Sequence, residues 1–307
     1  MTRFVHLIII GLLFLSCNSN SKAVNPSLLP DKSAFTVRKL SFYCPTLKNS
    51  PGDTEVYIMD SGKSGAKLLL AAGTHGNEIA GIRAAEYFIK NAVIETGCVF
   101  VIPHLNKSGV EAGSRLVNGK DQGLPDSEHY IPPKGFTRYE GIEQRNINRS
   151  YPGSDQGGLA QKIAFAVIHL LESENIEIAI DLHEAKPGSD LAWNIVSNPK
   201  NLNIAALAVL DLDKIGISMH LDSSPSHMDG LSHREWGNRT AAMSFLIETV
   251  NPAQADNPSR DVFLDSRYTL ERRVSIHLEA IRHLVKRCNE VLSAPLDFSV
   301  QFFGISE

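Results

Sequence analysis

The stretch Leu68-Leu69-Leu70-Ala71-Ala72-Gly73-Thr74-His75-Gly76-Asn77-Glu78 sets a continuous apolar run against a polar turn. It reads as a buried strand that turns through Gly76 into a helix. His75 and Glu78 are three apart, so on a first helical turn both side chains reach one side. Ile180-Asp181-Leu182-His183 is a second apolar strand ending in histidine. Two histidines and a glutamate at strand ends make a three-ligand zinc site, one ion per chain. Three protein ligands keep the fourth position for water, which is the catalytic arrangement. Phe245-Leu246-Ile247-Glu248 ends a third apolar strand with the carboxylate that a hydrolase needs as its base.

Working outward, the full set of strand candidates is 39–43, 55–59, 67–72, 99–103, 176–182, 192–197 and 243–249. Several are unbroken apolar runs, the mark of strands covered on both faces. Helical patterns alternate with them at 78–92, 159–171, 202–212 and 268–291. The last carries Leu270, Val274, Leu278, Ile281, Val285 and Cys288 on one stripe. The expected fold is α/β, a mixed and mostly parallel sheet sandwiched by helices. Sites in such sheets form outside the carboxyl ends of the strands, where His75, His183 and Glu248 fall. The segment 106–151 is long, polar and rich in Gly, Pro and Arg, and reads as a functional loop.

The N-terminus reads differently. After Arg3 the apolar run Leu7 to Leu15 is too short for a permanent span and matches a signal-peptide core. Ser16-Cys17 followed by Asn18-Ser19-Asn20-Ser21-Lys22 resembles a bacterial lipoprotein processing site, although Phe14 stands where leucine is usual. The expected organisation is a signal peptide over 1–17, a flexible tether over 18–36 and a catalytic domain over 37–307. The protein is then exported to the cell envelope and meets the membrane only through lipid on Cys17; a plain secretory signal is the alternative. A net charge of −4 without a basic run excludes nucleic acid as a natural partner. Cys44, Cys98 and Cys288 are an odd set, so no complete disulfide framework exists, and one bridge between Cys44 and Cys98 stays open.

Gly73-Thr74-His75-Gly76-Asn77-Glu78, Asn146-Ile147-Asn148-Arg149-Ser150-Tyr151-Pro152-Gly153, Asp181-Leu182-His183 and Ile247-Glu248-Thr249 occur in this order. Together they resemble the succinylglutamate desuccinylase/aspartoacylase group of the zinc carboxypeptidase superfamily. The resemblance implies that His75, Glu78 and His183 hold zinc and that Glu248 moves the proton. It implies that Asn148 and Arg149 bind a substrate carboxylate, a role suited to a planar guanidinium. It also implies an arginine that polarises the scissile carbonyl, for which Arg138 and Arg145 compete, and a further substrate contact from Arg239. Asp181, two residues before His183, suits either a carboxylate holding a ligand's ring nitrogen or a plain structural role. The segment 218–238, with His220, His227 and His233, reads as a cleft rim or a solvated loop.

The family carries a further β-rich domain after the catalytic glutamate, whereas residues 249–307 are dominated by one helix. The expectation is a carboxypeptidase-like fold without a full C-terminal β domain and with a more open cleft. Export and that open cleft point to an amide beside a carboxylate in a peptide or cell-wall peptide. The alternatives are a deacylase or esterase of small N-acyl amino acids, or a non-catalytic surface binding protein on the same scaffold.

Overall fold

Unbroken apolar runs have no wet face, and here they form the middle of a sheet with helices on both sides. The computed structural model describes residues 35–117, 141–256 and 265–301. Across the sheet, strands named in chain order stand as β1 (Phe35–Lys39), β2 (Glu55–Asp60), β5 (Cys98–Ile102), β3 (Lys67–Ala72), β6 (Ile178–Ala185), β9 (Met243–Val250), β7 (Asn194–Ser197) and β8 (His220–Ser223). The central four, β5, β3, β6 and β9, are mutually parallel. Antiparallel pairings flank them: β1 with β2, β2 with β5, and β7 with β9. The sheet is the expected mixed, mostly parallel one. A separate ribbon joins β4 (Ala92–Thr96) to β10 (Asp297–Val300).

Alternation along each strand splits the core in two. Leu68, Leu70, Ile180, Leu182, Phe245 and Ile247 face helices α1 (Ile79–Asn91), α4 (Leu202–Asp213) and α6 (Leu270–Asn289). Leu69, Ala71 and Ala179 face α3 (Leu159–Ser173) and Trp236 of α5 (Ser232–Arg239). Asp181 and His183 continue the series of Ala179 and so belong to the α3/α5 side. Glu184 continues the series of Ile180 and Leu182 on the other. Among the described residues no helix is long and apolar enough to cross a membrane.

Several boundaries move. The first strand lies at Phe35–Lys39 rather than 39–43, because Asp53 Oδ1 accepts the Ser41 N–H at 2.9 Å and the chain coils into a 3₁₀ turn over Leu40–Phe42. β6 continues through His183 to Ala185, so His183 sits inside a ladder as the register partner of Glu248. The polar segment after β5 is not structureless: α2 (Lys107–Ala112) opens it, with Asn106 Oδ1 capping through the Gly109 N–H at 2.9 Å. Cys44, Cys98 and Cys288 are buried free thiols.

Candidate metal centre

The turn after β3 delivers two of the three ligands. Gly76 touches α2 so closely that a Cβ there would lie 2.1 Å from the Gly109 carbonyl carbon, so only glycine permits this path. The path leaves His75 and Glu78 at the entrance to α1, both buried. His75 Nδ1 lies 2.7 Å from Glu78 Oε1, His183 Nδ1 lies 2.9 Å from Glu78 Oε2, and the two Nδ1 atoms are 3.2 Å apart. Among the described residues these three form the one metal-ligating group of histidine and acidic side chains, all buried. A tetrahedral zinc with ligands near 2.0–2.1 Å separates its donors by about 3.3 Å. The donor set fits such an ion.

The outward nitrogens are held too. His75 Nε2 donates to Asn146 Oδ1 at 3.1 Å, and the same oxygen accepts the Asn148 N–H at 3.0 Å. His183 Nε2 lies 2.9 Å from Asp181 Oδ2, close without the alignment of a hydrogen bond. Asp181 in turn accepts from Thr74 Oγ1 at 2.8 Å. These contacts leave Nδ1 on each ring as the ligand atom, the outer-shell support that metal-bound histidines need. Asp181 thus stands beside the outward nitrogen of His183, a position compatible with either role that its spacing allowed.

Charge follows the same plan. Burial opposes ionisation of Glu78, yet the imidazoles of His75 and His183 hold its carboxyl well below the usual range. Burial pushes His75 below the usual imidazole range. At His183 burial is outweighed by Asp181 and Glu78, which raise it. Glu248 stands one strand from His183 in register, about 4.8 Å away across the ladder. It is buried, its Oε2 is unpartnered, and burial pushes it up to about 8. A buried carboxyl with an unsatisfied oxygen beside a group that could hold a metal is a candidate for proton transfer.

Residues 64–250 match the succinylglutamate desuccinylase/aspartoacylase catalytic domain. The chain belongs to that family. Among proteins of curated function, none matches the sequence. Solved structures share the fold at low identity. The mDAP-bound form of Csd4 from Helicobacter pylori, described as a D,L-carboxypeptidase, is 17% identical with a TM-score of 0.53 over 78% of this chain and 53% of its own. A succinylglutamate desuccinylase from Silicibacter sp. is 18% identical with a TM-score of 0.51, over 82% of this chain and 64% of its own. An aspartoacylase family protein from Mesorhizobium loti is 18% identical with a TM-score of 0.50, over 84% and 68%. The chain thus spans about half the length of Csd4.

Within this succinylglutamate desuccinylase/aspartoacylase domain the expected arginines are scattered. Arg138 lies outside the described residues. Arg145 gives both Nε and Nη2 to the Val117 carbonyl, at 3.0 and 2.6 Å, and is spent on that contact. Asn148 is buried, with Oδ1 accepting the Ser232 N–H at 2.8 Å, which leaves its Nδ2 to donate. Arg149 donates from Nη1 to its neighbour's carbonyl at 2.6 Å and follows the Asn146 turn that holds His75. Arg239 donates to Glu235 Oε2 at 3.0 Å along α5 and lines a polar cleft with Asp229, Arg234 and Asn238.

One arginine went unread in the sequence. Arg115 Nη1 lies 2.9 Å from Glu78 Oε1, at the edge of the metal group, with its side chain 43% exposed. Its signal was the Asn106-capped turn of α2, which returns the chain across Gly76 and aims the residues after it at β3's end. The segment 218–238 contains β8 and all but the last residue of α5. His233 is buried within it, and burial takes it down to about 3.

Proposed function

We propose that this protein is a zinc-dependent amidohydrolase that cleaves an amide beside a carboxylate, in a peptide or cell-wall peptide. The convergence of His75, Glu78 and His183, with Glu248 in register one strand away, carries the reading. A bound zinc lowers the pKa of water toward neutrality and polarises a carbonyl. Glu248 takes the proton of the attacking water and gives it to the leaving nitrogen. Arg115, half exposed at the edge of the ligands, donates to the carbonyl oxygen as that oxygen gains charge. Asn148 Nδ2 and Arg149 hold the substrate carboxylate. With Arg145 occupied by Val117 and Arg138 outside the described residues, Arg115 is the better placed of the two described arginines to polarise the carbonyl.

Family membership favours a second substrate class, small N-acyl amino acids, whose cleavage uses the same residues. The likeness to Csd4 is a likeness of fold and is compatible with either class. Purified protein analysed for metal, then offered peptides, muropeptides and N-acyl amino acids side by side, tests both. One zinc per chain with turnover of peptides or muropeptides is the expected result. Exclusive turnover of acyl amino acids overturns the peptide assignment. A stoichiometry well below one zinc per chain overturns the enzyme and leaves a binding protein.

The same reading places the protein in a bacterial cell envelope, anchored by lipid on Cys17. Membrane-fraction recovery that is lost in Cys17→Ala supports the anchor, and unchanged recovery removes it.

A further inference from the structure

β6 and β9 carry functional groups on one face and a second matched pair on the other. His183 and Glu248 are register partners, and so are the next two residues, Glu184 and Thr249. Alternation sends the second pair through the sheet to the layer of α1, α4 and α6. Both are buried there, and each meets one residue of α6. Arg273 Nη1 forms a short ion pair with Glu184, and Arg273 Nε donates to the Tyr268 carbonyl at 3.0 Å. His277 Nε2 is 3.0 Å from Thr249 Oγ1. Arg273 and His277 are one helical turn apart, about 6 Å of rise, which matches the roughly 4.8 Å between neighbouring strands.

Glu184 reaches the metal group by two further routes. Its backbone N–H donates to Glu78 Oε2 at 3.1 Å. Its side-chain Oε2 accepts the Ala80 N–H at 2.9 Å in the first turn of α1, two residues beyond Glu78. Glu184 is therefore tied to His183 by the chain and to Glu78 by its backbone and by the start of α1.

We propose that α6 positions the zinc ligands and the base from behind the sheet, Arg273 acting through Glu184 on Glu78 and His183, and His277 acting through Thr249 on Glu248. This rests on the metal-hydrolase reading above. Arg273 and His277 are positioning residues, and the two arms have different readouts. The Arg273 arm sets metal affinity, and the His277 arm sets turnover with metal already bound.

Removing Arg273 alone strands a buried carboxylate and endangers folding. The test variant is therefore Glu184→Gln with Arg273→Met, which removes both charges and keeps an acceptor for the Ala80 N–H. In a zinc titration against a chromogenic chelator, its affinity is expected to fall about 10–100-fold, the usual cost of losing an outer-shell partner. His277→Leu is expected to keep the parent's zinc affinity and lose about tenfold in kcat, since small displacements of a catalytic group are costly. His277→Gln, which can still meet Thr249, restores most of it. The control is Asp211→Asn with Arg287→Met, which cuts an ion-pair knot at the other end of the same helix, where Arg287 holds Asp211 at 2.7 Å. It should lower the melting temperature and leave zinc affinity unmoved. The proposal is overturned if the Glu184/Arg273 variant binds zinc within twofold of the parent, if His277→Leu turns over normally, or if the control loses affinity equally. A parent that binds no zinc in the same titration sinks the hydrolase reading itself, an outcome distinct from all three.

Discussion

The candidate metal ligands and the candidate substrate arginines are built by opposite means. His75, Glu78 and His183 are at most 3% exposed; Asn146 holds His75, Arg115 and the Glu184 N–H hold Glu78, and Asp181 of the same strand stands against His183. Arg115 and Arg239 keep 43% and 37% of their side chains in water, Arg115 pairing with Glu78 and Arg239 with Glu235. A buried and over-determined group fixes chemistry, because its atoms have one arrangement. Long, wetter side chains on turns and short helices adapt to what arrives. On this contrast, substitutions in the buried half change the metal or the rate, and substitutions among the arginines grade into changes of affinity.

The strongest challenge to the contrast is Glu248→Gln. It keeps the shape of the side chain and removes the proton acceptor. Turnover is expected to fall about 10²–10⁴-fold while one zinc per chain remains. A variant with near-normal kcat and full metal content takes the proton transfer away from Glu248. Arg115→Ala tests whether the exposed half reaches into the chemistry. Losing a donor to a developing oxyanion costs about 10²–10³-fold in kcat. If only KM rises, Arg115 belongs with the substrate-binding arginines and Glu78 is its structural partner.

The difference between the halves also explains what the sequence shows and what it hides. The ligands could be read because each is fixed locally, by a strand, a turn and a spacing: His75 and Glu78 three apart, His183 two beyond Asp181. The parallel core could be read because β3, β6 and β9 have no polar alternation. Arg115 could not be read in this way. Its place depends on α2 folding back on Gly76, a tertiary contact between residues more than thirty apart in sequence. α5 was hidden for another reason: Ser232-His233-Arg234-Glu235-Trp236-Gly237-Asn238-Arg239 is polar enough to read as loop, and the single fully buried Trp236 anchors it. The sequence shows no role for Glu184, because it cannot say that Arg273, far downstream, packs behind it.

Within the buried half, Asp181→Asn sharpens the picture. It preserves size and removes the charge beside His183 Nε2, so zinc affinity is expected to drop about 10–100-fold with the fold intact. Acid acts on the same region. His233 is buried and its folded value is about 3, against 6.5 in the unfolded chain. Between these values the unfolded state binds the extra proton, so stability present above pH 6.5 is lost as pH falls toward 3. His233→Gln should flatten that acid limb in a melting-temperature series. An unchanged slope means that other groups carry it.

The smallest effects separate two arginines that the family resemblance assigned to the substrate. Arg149 follows the Asn146 turn, one hydrogen bond from His75, so its loss should weaken binding of a carboxylate substrate. A charge-assisted hydrogen bond contributes roughly 1.5–3 kcal/mol, equivalent to about 10–100-fold in KM. Arg239 lies a full helix length from Ser232, the α5 residue that meets Asn148, and holds Glu235 in a partly exposed pair. Such pairs are worth at most about 1 kcal/mol, so Arg239→Ala should stay within about fivefold of the parent in KM. Steady-state kinetics on one carboxylate-bearing substrate and its amide-capped analogue decides between them. Discrimination against the capped analogue should collapse in Arg149→Ala and persist in Arg239→Ala. The reverse pattern would move the carboxylate pocket from the Asn146 turn to the polar cleft lined by Asp229, Arg234 and Asn238.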